Sequence, residues 1–525
     1  MQAFVNATFL SCEENNRIFS VLVEDKGRIV YAGNELPAQY AGIRRADLHG
    51  AAVVPAFADT HMHFESYALF NSTVDVRNAA DFKDMGRLLS QYADGHPKDK
   101  VIAAYGCSAH TVKEKRLVQR GDLDQMTGRP LMIVKYDGHA AVANSALVRM
   151  LPREVIEDTG FNAETGWMYQ NAFYKGVNFI TSQIPIPRII QGLVSASREL
   201  SRKGIGLVHT VEGVGYQGDI DVDMLRFLRV GLPQSMRIFF QTMEVDKVKK
   251  RGMKRIGGCF KLALDGCFGS EDAALFEPYA NNQKNTGFLA YTQDEVNAFC
   301  IAANRAGMQI AMHAIGDKAV EQAIIGLEAA LKDFPRNDHR HIIIHADLIS
   351  KEQQRRVAAI GAAIALQPAF LDWSQEPGEY LEHILGNQRA LSIEPLRDLI
   401  DAGILVSAGS DAPCTLPDPI NSMHICCNHP DPGQSVTVLE ALKMHTLWAS
   451  KTSFDEQDRG SLSKGKLADF AVLAQNPLDM DVSRLKENKV IALYLEGKKV
   501  MKEPDGVAKL LAWSIFGRLF RHNRI

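Results

Sequence analysis

Eight short apolar segments, separated by stretches of helical character, constrain this chain more than any other feature. They are Val53–Asp59, Ile205–His209, Met236–Thr242, Cys259–Asp265, Gln309–His313, His341–His345, Ala362–Gln367 and Ile404–Ser410. Continuous apolar runs of this length read as strands buried on both faces. Between them, Thr292 with Glu295 and Ser350 with Gln353 have capping-box spacing, and Gly307 and Gly361 stand where a helix ends. Strands alternating with helices predict an α/β chain with a parallel sheet covered on both sides. Eight repeats predict closure into a (β/α)8 TIM-type barrel. The alternative is an open doubly wound sheet, which calls for a glycine-rich phosphate turn after a strand.

The 525 residues exceed one ordinary core. Residues 1–52 alternate in short runs broken by Asn15-Asn16 and Lys26-Gly27. The same texture returns in 459–504, at Ala468–Ala474, Lys489–Leu495 and Lys498–Met501. Neither end makes a stable sheet alone, so together they predict one small β-sandwich. Residues 53–64 carry the first barrel strand, 65–202 form a long insertion after it, and 203–458 supply the rest of the barrel. The insertion has strands of its own at Val101–Tyr105 and Leu131–Lys135, and a connection of that length predicts a roof over the catalytic face. Residues 505–525 predict an amphipathic helix carrying Leu510, Leu511, Ile515, Leu519 and Phe520, with Arg518, Arg521 and Arg524 near its end. It reads as packing on the body, as a homo-oligomer contact or as a membrane-surface helix, packing on the body or on another subunit being preferred.

A net charge of −3 argues against nucleic acid as a partner. No run is long and apolar enough to span a bilayer, and no signal peptide is read at the N-terminus. Eight scattered cysteines without CxxC fit a reducing, cytoplasmic location. The adjacent Cys426-Cys427, flanked by His424 and His429, are poor ligand geometry and read as a loop over the barrel mouth.

Active sites in such barrels lie at the C-terminal strand ends. There the sequence places His61 and His63, two apart and hence on one side of a strand, then Lys261, His313, His345 and Asp411. Each alone has an ordinary reading: a hydrogen-bonded histidine, a snorkelling lysine, a helix N-cap aspartate. Imidazoles on the first, fifth and sixth strands with a carboxylate on the eighth point jointly to a metal site.

The set PAFADTHMH, FKLALDG, MHAIGD, IIIHAD and SAGSDAP, closed by GSLSKGKLADFAVL, resembles the metal-dependent amidohydrolase superfamily, and within it the amidohydrolase-3 or YtcJ-like group. The resemblance spans nearly the whole chain, with Ala56 where the family usually has glycine. It implies one divalent ion, with zinc the first choice, on His61, His63 and Asp411, and a second on His313 and His345. It also implies a carbamylated Lys261 bridging the two, with Glu212 as the competing bridge or a single ion as the alternative. Asp411 would act as general base and acid in hydrolysis of a non-peptide, amide-like C–N bond of a small molecule. His139, in DGHAAVANSAL, is assigned to substrate binding, with a turn-holding role as the alternative. His209 is taken as second to the metal or substrate-contacting. Hydrolysis of a lactone or other ester, and a metal-binding regulatory protein without turnover, are the competing functions.

Overall fold

The structure, a computed structural model, describes residues 1–500 and 506–520. Its centre is an eight-stranded parallel sheet of β1 (Phe57–Met62), β2 (Ile205–Glu212), β3 (Ser235–Phe240), β4 (Arg255–Ala263), β5 (Gln309–Ala314), β6 (Ile342–His345), β7 (Ala363–Leu366) and β8 (Leu405–Ala408). Each strand pairs with the next in chain order. Closure comes just beyond β8, where Asp411 N donates to His61 O and His63 N donates to Ala412 O, both at 2.8 Å. The sheet is thus a TIM-type barrel. Its strands read as apolar runs because both faces are buried: every residue of β1, β2, β5, β6 and β7 is buried. Val211, Phe239, Ala311, Ile344 and Ala365 fill the interior.

Helices α1 (Phe64–Phe70), α2 (Ile220–Leu228), α3 (Gln293–Arg305), α4 (Asp317–Asp333) and α5 (Lys351–Ile360) flank the barrel. The two expected capping boxes form, Thr292 accepting from Glu295 N and Ser350 from Gln353 N. Gly361 ends α5 at φ 69°.

The segment read as the first barrel strand divides at Ala56. Residues Ala52–Pro55 pair with Phe470–Leu473 and Thr8–Leu10, and β1 starts only at Phe57. An apolar run reports burial on both faces but not which sheet provides it, so the expected start at Val53 is corrected to Phe57. The six-stranded sheet holding Ala52–Pro55 takes strands from both chain ends and faces a four-stranded sheet of residues 2–47. Phe4, Leu22 and Ile29 from one sheet meet Phe9, Val53 and Phe470 from the other, with the Phe4 and Phe470 rings 4.9 Å apart.

The long insertion carries a five-stranded sheet that includes Ile102–Cys107 and Leu131–Lys135. It is fastened to loops at the C-terminal ends of the barrel strands. Lys135 Nζ donates to Gly269 O at 2.9 Å, Arg77 Nη1 to Pro413 O at 3.1 Å, and Gln375 Nε2 to Arg77 O at 3.1 Å. Helix α6 (Val507–Phe520) lies on the body, with Leu510 fully buried and Ser514 Oγ donating to Leu228 O at 3.2 Å. Ile515 and Phe516 are exposed, so the apolar stripe is covered only in part. Arg521 and Arg524 lie outside the described residues. Among the described residues no helix is long and apolar enough to cross a membrane. Cys426 and Cys427 end the buried helix Pro419–Cys427 rather than a loop, because Asp418 caps that segment and its apolar side chains pack inward.

Candidate metal centre

The end of β1 turns His61 and His63 toward one point, and the turn after β8 brings Asp411 to meet them. Asp411 Oδ1 lies 3.0 Å from His61 Nε2 and 3.3 Å from His63 Nε2. The angles nevertheless leave that oxygen without a directed hydrogen bond. Donor atoms that crowd a common point without bonding one another are arranged as ligands of a shared cation are. His345, closing β6, stands 5.6 Å from His61 ring to ring and 4.5 Å from His313 on β5. His345 Nδ1 and His313 Nδ1 are likewise buried without a partner.

Lys261 is not among these groups. Its side chain is 48% exposed, and Nζ donates to Gly213 O at 2.5 Å and lies 3.6 Å from Asp219. Cys259 occupies the inward position instead, its Sγ 3.2 Å from His61 Nε2 and 3.9 Å from His345 Nε2. The cause is local. Phe260 sits at φ 38°, and the β4–β5 register shifts between Gly258 and Ala263. Side chains two apart on this strand therefore no longer share a face. The structure does not bring Lys261 to the cluster where a bridge was expected; Cys259 stands there in its place, and the signal that could have found it is the Cys two residues before the lysine. Glu212, the competing bridge, also turns away, toward Glu65 and Asp221.

One donor atom each from His61, His63 and Cys259, from Cys259, His313 and His345, and from His61, His345 and Asp411 lie within 4.8 Å of one another. Nitrogen, sulfur and carboxylate oxygen at this spacing fit a divalent ion of the zinc type. Burial pushes His63 and His345 down and His313 to about 3, so these rings are neutral and able to ligate. Burial would raise Asp411, but the field of the adjacent His61 holds its carboxyl well below the usual range. Burial pushes the Cys259 thiol up, an effect that a bound cation reverses.

A cavity of about 40 Å³ opens over this cluster, lined by His63, Cys259, His313, His345 and Asp411 together with Phe370 and Trp373. An outer cavity of about 920 Å³, walled by Trp167, Tyr169 and Tyr174 of the insertion, adjoins it. His139 and Phe260 line both and stand between them. His139 is presented by its own turn, in which Asp137 Oδ1 accepts from His139 N at 3.2 Å and Gly138 takes φ 75°. Asp137 is itself fixed by Lys135 Nζ at 2.7 Å. Burial alone would raise its carboxyl, but Lys135 holds it down at about 2. His209 lines neither cavity. It is enclosed in the barrel with both ring nitrogens unpartnered, and burial lowers it to about 3, so substrate contact is corrected to an interior position. Sequence reasoning also missed Asp265, whose carboxylate takes the N–H groups of Ala274, Ile315 and Gly316 and so fixes the turn beside His313.

Residues 45–501 match the amidohydrolase family. The chain belongs to this family. Among curated family relatives, YtcJ of Bacillus subtilis is 26% identical over 94% of this chain and 97% of its own. The N-substituted formamide deformylase of Arthrobacter pascens is 24% identical over the same shares, 94% and 97%. A solved metal-dependent hydrolase from Pyrococcus furiosus superposes with a TM-score of 0.74 at 26% identity, covering 91% of this chain and all of that one.

Proposed function

We propose that the chain is a zinc-dependent hydrolase that cleaves a non-peptide C–N bond of a small amide-like substrate, and that His61, His63, Cys259, His313, His345 and Asp411 hold its metal. The observation that carries this reading is the buried Asp411 oxygen facing two imidazoles without a hydrogen bond, on a barrel of the amidohydrolase family. A divalent ion in that position supplies a polarised carbonyl and a water acidic enough to attack near neutral pH. Asp411 stands where it can take the proton of the attacking water and deliver it to the departing nitrogen. His139 and Phe260 orient the substrate at the neck between the two cavities. The inner space admits only a small acyl group, and the outer one has room for a substituent on nitrogen. That shape, with the likeness to an N-substituted formamide deformylase, supports N-substituted formamides and related small amides as the substrate class. Eight unpaired, buried cysteines support a cytoplasmic setting.

The test is metal analysis of the purified chain combined with turnover on a panel of N-substituted formamides and small amides. Bound zinc and turnover on part of the panel are expected. Asp411→Asn should keep its circular dichroism and lose roughly 10²–10⁴-fold in kcat. Near-wild-type turnover by that variant removes Asp411 from its role, and bound metal without turnover on any member overturns the amide reading.

A further inference from the structure

Three carboxylates lie together away from the histidines, and the proposed hydrolysis uses none of them. Glu65 is in the first turn of α1, Glu212 is the last residue of β2, and Asp221 is in the first turn of α2. All three are at most 3% exposed, and one oxygen from each lies within 4.8 Å of the others. Internal hydrogen bonds satisfy only part of the set. Glu212 Oε1 accepts from Thr210 Oγ1 at 2.5 Å and from Glu65 N at 3.2 Å, and Asp221 Oδ2 accepts from Gly213 N at 2.6 Å. Both oxygens of Glu65 and Oδ1 of Asp221 remain buried without a partner. So does the hydroxyl of Tyr216, a residue outside the trio whose phenol lies in the field of all three acids.

Unpaired carboxylates this close and this dry repel one another and lose their hydration. Lys261, across Gly213, bonds that carbonyl and faces Asp219 but pairs with none of the three. We propose that Glu65, Glu212 and Asp221, with the Tyr216 hydroxyl, form a second site for a hard divalent cation of the calcium, magnesium or manganese type. The donors are all oxygen, as such ions require. At bond lengths of about 2.3–2.6 Å, oxygens on opposite sides of calcium stand about 4.6–5.2 Å apart, which accommodates this trio. The site shares no residue with the histidine groups. It joins α1, which follows His63 directly, to β2 and α2, so a cation there would brace the turn that aims His63.

Equilibrium dialysis of the full chain against Ca²⁺, Mg²⁺ or Mn²⁺, read by plasma mass spectrometry, tests this in a His61→Ala/His345→Ala background that weakens the first centre. One equivalent of at least one of these ions per chain is expected, and its loss in Glu212→Gln and in Asp221→Asn. If that background does not fold, the zinc-saturated wild type takes its place and the additional equivalent is read. A measurement free of variants is the melting midpoint of the metal-stripped wild type, which the bound ion should raise. The proposal is overturned if none of the three ions binds, or if the carboxamide variants retain the equivalent. It is equally overturned if no ion moves the midpoint while Glu212→Gln stabilises the chain, the result of acids that merely share protons.

Discussion

His345 and Asp411 both adopt left-handed backbone, at φ 72° and 53°, and neither is glycine. Such conformations cost on the order of 1–3 kcal/mol each and persist where the surroundings over-determine them. Here the surroundings are the closing bonds between β1 and the Asp411 turn and the packing of two further imidazoles. The histidines and Asp411 were legible because their type and their place at strand ends suffice to bring them together. Cys259 was not, because side-chain alternation was carried through a strand in which Phe260 breaks it. The two placements separate in metal content. Cys259→Ser should hold zinc at least about tenfold more weakly in chelator competition. Lys261→Ala should retain the wild-type stoichiometry, since its ammonium faces Gly213 and Asp219. Loss of an ion in Lys261→Ala with full retention in Cys259→Ser would restore the lysine bridge.

At the scale of elements, β4 does the unusual work. Gly257 and Gly258 take φ 98° and 136°, and together with Phe260 they bend the strand so that Cys259 enters the site. A Cβ on Gly257 would fall 2.0 Å from Ala311 O, the backbone of the neighbouring β5. Neither contact nor conformation can be relieved by a side-chain rotation. Gly257→Ala should therefore lower the unfolding free energy by at least about 3 kcal/mol in denaturant titration, or leave the chain insoluble. An unchanged denaturation midpoint would show that β4 does not need this bend. The other strands were easy to find because burial on both faces makes each a plain apolar run. The Ala56 boundary was hidden for the same reason, since Val53 and Phe57 are equally enclosed in two different sheets.

Across the whole molecule, the chain leaves the sandwich at Ala56, builds the barrel and returns to the sandwich at Phe470–Leu473. The eight-fold alternation made the barrel legible, and the sequence also suggested that the two ends share a sandwich. What it could not show is how the returning segment is held, because that depends on pairs far apart in the chain. Arg237 on β3 forms a two-pronged ion pair with Asp455, its Nε donating to Oδ2 at 2.8 Å, and Ser453 Oγ donates to the same oxygen at 2.6 Å. Arg340, just before β6, holds the adjacent Glu456 at 2.8 Å. Burial would raise the Asp455 carboxyl, but Arg237 outweighs it and holds the group at about 2. A carboxyl depressed in the folded state adds stability above its unfolded value, near pH 4, and that stability fades as the pH falls through the folded value. Asp455→Asn should accordingly be less stable than wild type at pH 7 by roughly 2–3 kcal/mol from this linkage. The difference should persist down to about pH 4 and close towards pH 2. Urea titrations of both chains across that range would show it. A gap that stays constant with pH would mean that Asp455 acts through its shape and hydrogen bonds, and that its charge does not clasp the returning segment to the barrel.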